Sequence, residues 1–371
     1  MLSHMRYIIH TIIAVTGIFA SNRVVAQQDK TPVLDPAGYV NKYDSSFKGI
    51  GPTVYVLPAP RTREELLTDA YSEKITFQDS ITKALDLQQL VAEFKPTSNL
   101  GNIQYLLSPL PTSSLAWNKL LEREISEGNY GIAYGLLHAY AEMSLREGAI
   151  HQTLGLLHSA LQNAQKTENA LDISTIQYNL GNVYLFEKDI EQAGLFQEAF
   201  YQTATKQRST VEQANSLLKI ALIQAYDKDY RSAENNIIRK AIPLLNRAKA
   251  YDRKIIAWQT LAKIYQLQNK HTEAQWFLIQ ARDLAKSKNF SSELAEIEYM
   301  LASSKFVQQN YRVAQKEFLQ ADELAKTEDN KLLQLAIVDK LGQIYMTQHA
   351  LDKAEDALRS YEDLRKELFK Y

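Results

Sequence analysis

The 371-residue chain has no cysteine. That excludes thiol catalysis, thiolate metal sites, disulfide staples and Cys-linked lipid anchors, though it does not fix the compartment. Proline is nearly missing from the larger part of the sequence: eight of nine lie at or before Pro111, and only Pro243 follows. Because proline removes a backbone donor and disrupts helix interiors, its absence there permits a continuous helical array. An excess of one charge sign is also lacking, with 42 Lys and Arg against 43 Asp and Glu. Such a balance gives no basic face, so nucleic acid is not an expected partner. There is no Gly-rich phosphate loop and no nucleophile-elbow serine motif.

Long apolar runs are lacking too, except at the start. Met1–Arg6 carries one arginine and no acid, and Tyr7–Ala20 is mostly apolar. Ser21–Ala26 ends in Val24-Val25-Ala26, with small residues suited to signal-peptidase cleavage after Ala26. The apolar run is shorter than the roughly 20 residues of a spanning helix. The expectation is an exported chain, periplasmic or secreted; the alternative is an uncleaved N-terminal anchor holding the protein at the membrane.

What the sequence does have is a period. Ala141, Gly181, Ala221, Ala262, Ala302 and Gly342 follow one another at steps of 40, 40, 41, 40 and 40 residues. Twelve residues after each stands Thr153, Ala193, Ala233, Ala274, Ala314 or Ala354. Each first landmark follows a large apolar residue (Tyr140, Leu180, Ile220, Leu261, Leu301, Leu341), and bulk returns at Leu157, Ile237, Leu278, Phe318 and Leu358. Alternating small and large side chains let helical hairpins stack, each burying the apolar face of the last. Turn-like clusters such as Glu187-Lys188-Asp189 separate the helices of a unit, and Ser, Asn or Asp before each unit suit helix N-caps. Residues 115–371 thus read as an all-α solenoid, with an extra helix at Leu115–Ser126. Residues 27–114 read as an irregular, partly helical segment, with an extended run at Thr53–Leu57 and helical patterning at Arg61–Tyr71 and Asp79–Phe94.

Leu180-Gly181-Asn182-Val183-Tyr184 before Ala193, Leu261-Ala262-Lys263-Ile264-Tyr265 before Ala274, and Leu341-Gly342-Gln343-Ile344-Tyr345 before Ala354 resemble tetratricopeptide repeats. Ala281, Ala321, Tyr230 and Tyr311 extend the match. The resemblance covers about Gly131–Tyr371 and implies a right-handed α-solenoid of six hairpins. The period exceeds the family's usual 34 residues, so helices or turns are longer. The usual proline after the second helix is missing, and Pro243 falls inside a helix that it should kink. Exported long-period arrays of this kind are similar to the periplasmic regions of bacterial sensor and regulator proteins.

No catalytic constellation stands above chance. Ser80-Ile81-Thr82-Lys83 and Ser216-Leu217-Leu218-Lys219 have Ser-x-x-Lys spacing, but both fall on helices that explain them. His138, His151 and His158 share one hairpin without the converging geometry a metal requires. No cofactor or metal is expected, and no enzymatic activity. The resemblance instead points to the concave groove lined by the first helix of each unit. Projection onto that face places Tyr178, Asn182, Lys219, Gln259, Lys263, Tyr299, Ser303 and Gln343 there, with His138, Glu142 and Asp339. Amides suit a peptide backbone, tyrosine gives apolar area with a polar tip, and lysine suits a carboxylate. The expected function is a binding scaffold or adaptor for a protein or peptide, acting outside the cytoplasm. A sensory or accessory subunit working with a membrane protein is the alternative, and an enzyme with its site in residues 27–114 is a distant third.

Overall fold

The period has a simple origin in helix length and turn length. The computed structural model describes residues 61–109 and 111–369; the leader expected at 1–26 and the lead-in expected at 27–60, with its extended run, lie outside the described residues. The order is α1 (Arg63–Glu93), α2 (Leu100–Ile103) running into a 3-10 turn, and α3 (Ser114–Ser126). Six hairpins follow. They are α4 (Tyr130–Arg146) with α5 (Ile150–Gln165), α6 (Ala170–Phe186) with α7 (Ile190–Lys206), and α8 (Thr210–Tyr226) with α9 (Tyr230–Asn235) and α10 (Ile242–Ala248). Next come α11 (Tyr251–Leu267) with α12 (His271–Lys288), α13 (Leu294–Val307) with α14 (Tyr311–Thr327), and α15 (Lys331–Thr347) with α16 (Leu351–Leu368). Two 17-residue helices and two three-residue turns make one 40-residue unit.

Most of the turns are closed the same way. In the first turn of the second hairpin, Asp189 N–H donates to the Tyr184 carbonyl at 3.0 Å, with Lys188 left-handed at φ 64°. The bond satisfies a carbonyl orphaned at the helix end. The left-handed position recurs at Glu168, Arg208, Lys228, Lys249, Asn269, Asn289, Gln309, Asp329 and His349, and glycine fills it only at Gly128 and Gly148 among the described residues. These turns stop the helices without proline. Asn169 and Asn330 cap the units that follow, as the sequence suggests, whereas Ser209 makes no such bond; inside units Asp189 and Asp229 cap second helices and Asn310 does not.

Both sets of small landmarks are buried. A Cβ on Gly181 would lie 2.7 Å from the Gln197 amide on the facing helix, the close approach expected within a hairpin. Gly342 differs, since its close neighbour is Tyr71 on α1. At Pro243 the helix does not merely bend. Residues Asn236–Ala241 widen into a π-helical stretch just before it, accommodating the missing donor and the ring.

The N-terminal segment departs most from the sequence reading. In place of two helices separated near residues 72–78, α1 is one 31-residue helix, started by a capping box between Thr62 and Glu65. It is no appendage. Leu87 and Leu90 join the core of the first two hairpins with Leu136 and Leu137. Ile81 and Ala84 join Leu332, Leu335, Ala336 and Tyr361 at the other end.

Candidate binding site

The residues projected toward the groove face α1, which crosses the inner face from the last hairpin back to the second. At its start Arg63 pairs with Asp352 at 2.7 Å and with Glu355, both on α16. The Tyr71 hydroxyl donates to the Ala354 carbonyl at 2.8 Å. Lys74 and Gln78, one helical turn apart, both reach Asp339 on α15, at 3.3 and 3.1 Å. Near the other end Gln89 Oε1 accepts from Lys263 Nζ at 3.0 Å, and Glu93 ion-pairs with Lys219. Beyond the helix, Asn179 brackets Lys95, accepting from its N–H at 3.0 Å and donating to its carbonyl at 2.8 Å. Asp172 accepts from the Ser98 N–H and hydroxyl at 2.7 and 2.8 Å.

Magnitudes decide whether α1 is resident or transient. Leu67, Ile81, Leu87 and Leu90 are buried, which at about 1.5–3 kcal/mol each gives an upper bound near 6–12 kcal/mol. Polar tethers add register more than energy. Helix α1 is therefore a resident part of the inner face.

The electrostatics fit a helix held from both sides. Burial drives the Lys74 ammonium down, against the pull of Asp339, and it sits between the Tyr71 and Tyr361 rings, 4.3 and 3.9 Å from their centroids. Burial pushes Glu93 up, but the Lys219 ammonium, with Lys263 nearby, holds it below the usual carboxylate range. His138 is driven down to about 4 by burial, against a smaller upward pull from Asp172. Its ring lies 2.8 Å from the Asn179 amide and packs on Phe94. His158 instead meets the Tyr184 hydroxyl at 2.6 Å and His151 is exposed, so the three histidines do not converge. Ser216 donates to the Gln197 carbonyl at 2.8 Å while Lys219 turns to Glu93, so their spacing brings no serine–lysine pair together.

The projected residues divide into two groups. Tyr299, Ser303 and Gln343 lie toward the last two hairpins. Tyr299 packs on Phe318 and is pushed up to about 12 by burial, while Gln343 donates to Asp339 at 2.9 Å. Tyr178, Asn182, Lys219, Gln259 and Lys263 gather around a cavity of about 170 Å³ between α1 and helices α6, α8 and α11. There the Asn182 carbonyl accepts from Gln197 at 2.8 Å; its Nδ2 faces the Tyr178 hydroxyl without forming a well-aligned hydrogen bond. Gln259 is 5% exposed, and its Nε2 has no hydrogen-bond partner among the described residues. The sequence reading missed the roof, Asp86, Gln89 and Glu93 on α1, and Arg253 on α11. The signal that could have found them was the row of inward lysines, which called for carboxylates from elsewhere in the chain.

Among the described residues no helix is long and apolar enough to cross a membrane, and no group of three or more His, Asp or Glu side chains is placed to hold a metal. No known family signature matches the chain, and no curated protein matches it by sequence. Solved structures match in fold. A Rap protein complexed with competence and sporulation factor aligns with TM-score 0.50 and 10% identity, over 82% of this chain and 99% of that one. A signal-transduction ATPase with a tetratricopeptide repeat sensor, from Pyrococcus horikoshii, gives TM-score 0.52 and 12% identity. That match covers 83% of this chain but 47% of the ATPase. The apo form of the quorum sensor NprR from B. thuringiensis gives 0.47 and 13%, over 83% of this chain and 100% of that one. At such identities the shared property is the fold, an array of tetratricopeptide-like hairpins.

Proposed function

We propose that this chain is a non-enzymatic scaffold or adaptor that recognises a protein or peptide through the inner face of its solenoid, outside the cytoplasm. The observation that carries this reading is the row of inward polar side chains on successive first helices, Asn182, Lys219, Gln259 and Lys263, around an open cavity. Hydrogen-bonding groups contributed by successive units to one cavity suit a ligand that carries its own donors and acceptors, as a short peptide or an exposed chain end does. The fold neighbour solved with competence and sporulation factor supports a binding role, and the sequence of residues 1–26 supports export. The test is capture of partners from the cell-envelope fraction. A discrete protein should be recovered, and Asn182→Ala combined with Lys263→Ala should weaken its recovery without lowering helicity. Undiminished recovery by the double variant removes the inner-face reading.

A sensory or accessory role is favoured by one further observation. Through α1 the chain links its last hairpin to its first two, so an occupant of the inner face would contact an element joined to both ends. The neighbour whose repeats form a sensor fits that reading. It requires a specific membrane-protein partner in the same capture experiment.

A further inference from the structure

The inner face is not an open trough, and what remains accessible on it narrows the ligand. With α1 resident, an entire helix or a long extended chain has no continuous seat. Among the described residues, space remains in the cavity under the last two turns of α1, where a volume of about 170 Å³ corresponds to roughly ten water sites. That is the scale of an amino acid or a dipeptide.

Its walls are inward stripes at helical spacing. One runs from Arg253 to Lys263 on α11 and the other from Leu218 to Leu222 on α8. Cations outnumber carboxylates there, Lys188, Lys219, Arg253 and Lys263 against Asp86, Glu93 and Glu296. Glu93 is shared: it bonds Lys219 and also feels Lys263, whose own hydrogen bond goes to the neutral Gln89 amide. Among the described residues Arg253 has only its sequence neighbour Asp252, at 3.4 Å, as an ion-pair partner. The unpartnered Gln259 Nε2 is the second, independent sign of a ligand. A buried amide donor without an acceptor penalises the fold, and a ligand oxygen would remove that penalty.

We infer that this cavity binds a small carboxylic acid of amino-acid to dipeptide size, its acidic oxygens taken by the cations Lys263 and Arg253, ten residues apart along α11, and a further oxygen accepting from Gln259. The inference rests on reading the inner face as the recognition surface and names the chemistry of the part left open. Leu218, Leu222 and Ile256 supply the apolar wall for the rest of the molecule.

The test is thermal unfolding and calorimetric titration of the intact protein with alanyl-alanine, alanyl-glutamate, glutamate and glutarate, each beside its carboxamide. At least one free acid should raise the unfolding midpoint dose-dependently, and its carboxamide should bind at least about tenfold more weakly, a difference of about 1.4 kcal/mol. Lys263→Met and Gln259→Leu should each weaken that acid by a similar factor while helicity holds and the ligand-free midpoint does not fall. Arg253→Met, which breaks no tether to α1, repeats the test should Lys263→Met loosen the helix. No shift with any acid, equal binding of the carboxamide, or variants that bind as the parent does would overturn the inference. Failure here with envelope-partner capture intact would leave the protein-binding reading standing; acid binding without a protein partner would do the reverse.

Discussion

Replacing Gly342 by alanine should destabilise this protein although the glycine sits inside a helix. In helix α15 the change gains about 1 kcal/mol of intrinsic propensity. Against that gain, the new Cβ would stand 2.2 Å from the Tyr71 hydroxyl oxygen and 2.7 Å from a ring carbon. Neither can coexist with it. Tyr71 cannot swing away freely, because its hydroxyl is bonded to the Ala354 carbonyl and its ring lies under the Lys74 ammonium. Overpacking costs about 1–3 kcal/mol and the lost hydrogen bond roughly 0.5–1.5 kcal/mol. The net loss should be about 1–3 kcal/mol by urea denaturation followed through helical circular dichroism. The decisive arm is the same substitution in a Tyr71→Ala background, where the obstruction is gone. There Gly342→Ala should stabilise by about 0.5–1 kcal/mol, a reversal of sign that a double-mutant cycle reads directly. The same sign in both backgrounds would refute the seating of α1 against α15.

Two further outcomes follow from the geometry. His138 has a folded-state value of about 4, below the 6.5 of an unfolded chain. The unfolded state therefore binds more protons between those pH values, and its contribution is full above pH 6.5 and lost as pH falls toward 4. His138→Gln should flatten acid unfolding in that window by up to about 3 kcal/mol; an unchanged acid limb contradicts the burial argument. At the turn before α14, Gln309 holds φ 61° with an exposed side chain. Gln309→Gly should raise stability by about 0.5–1 kcal/mol in the same denaturation assay, the relief of left-handed strain less the added freedom of the unfolded chain, and a loss would mean the side chain contributes there.

The hairpins were legible because packing wrote them into the sequence at fixed intervals. Ala193, Ala274 and Ala354 can be nothing larger where two helices touch, and all are fully buried. The turns were legible in place though not in mechanism: Lys188, Lys228 and Gln309 carry no sign of the left-handed conformation they adopt. Helix α1 was legible only in pieces. It is approached from several sides, so its apolar residues do not form one stripe, and its middle carries Lys74 and Gln78 because their partner Asp339 lies more than 260 residues away. No local pattern reports such a partner. The inward residues Lys219, Gln259 and Lys263 were found by register alone, since they share one face whatever lies opposite. What lay opposite, Glu93 and Gln89, could come only from the structure.

The seat of α1 across the inner face is what the site and the ligand chemistry both depend on. Zero-length carbodiimide cross-linking of the unmodified protein, read by peptide mass spectrometry, tests it without any substitution. The reagent should join Glu93 to Lys219 and Glu212 to Lys95, pairs separated by 126 and 117 residues, within single molecules. Links from residues 63–93 that form only between molecules, or none to the helices of the solenoid, would contradict it.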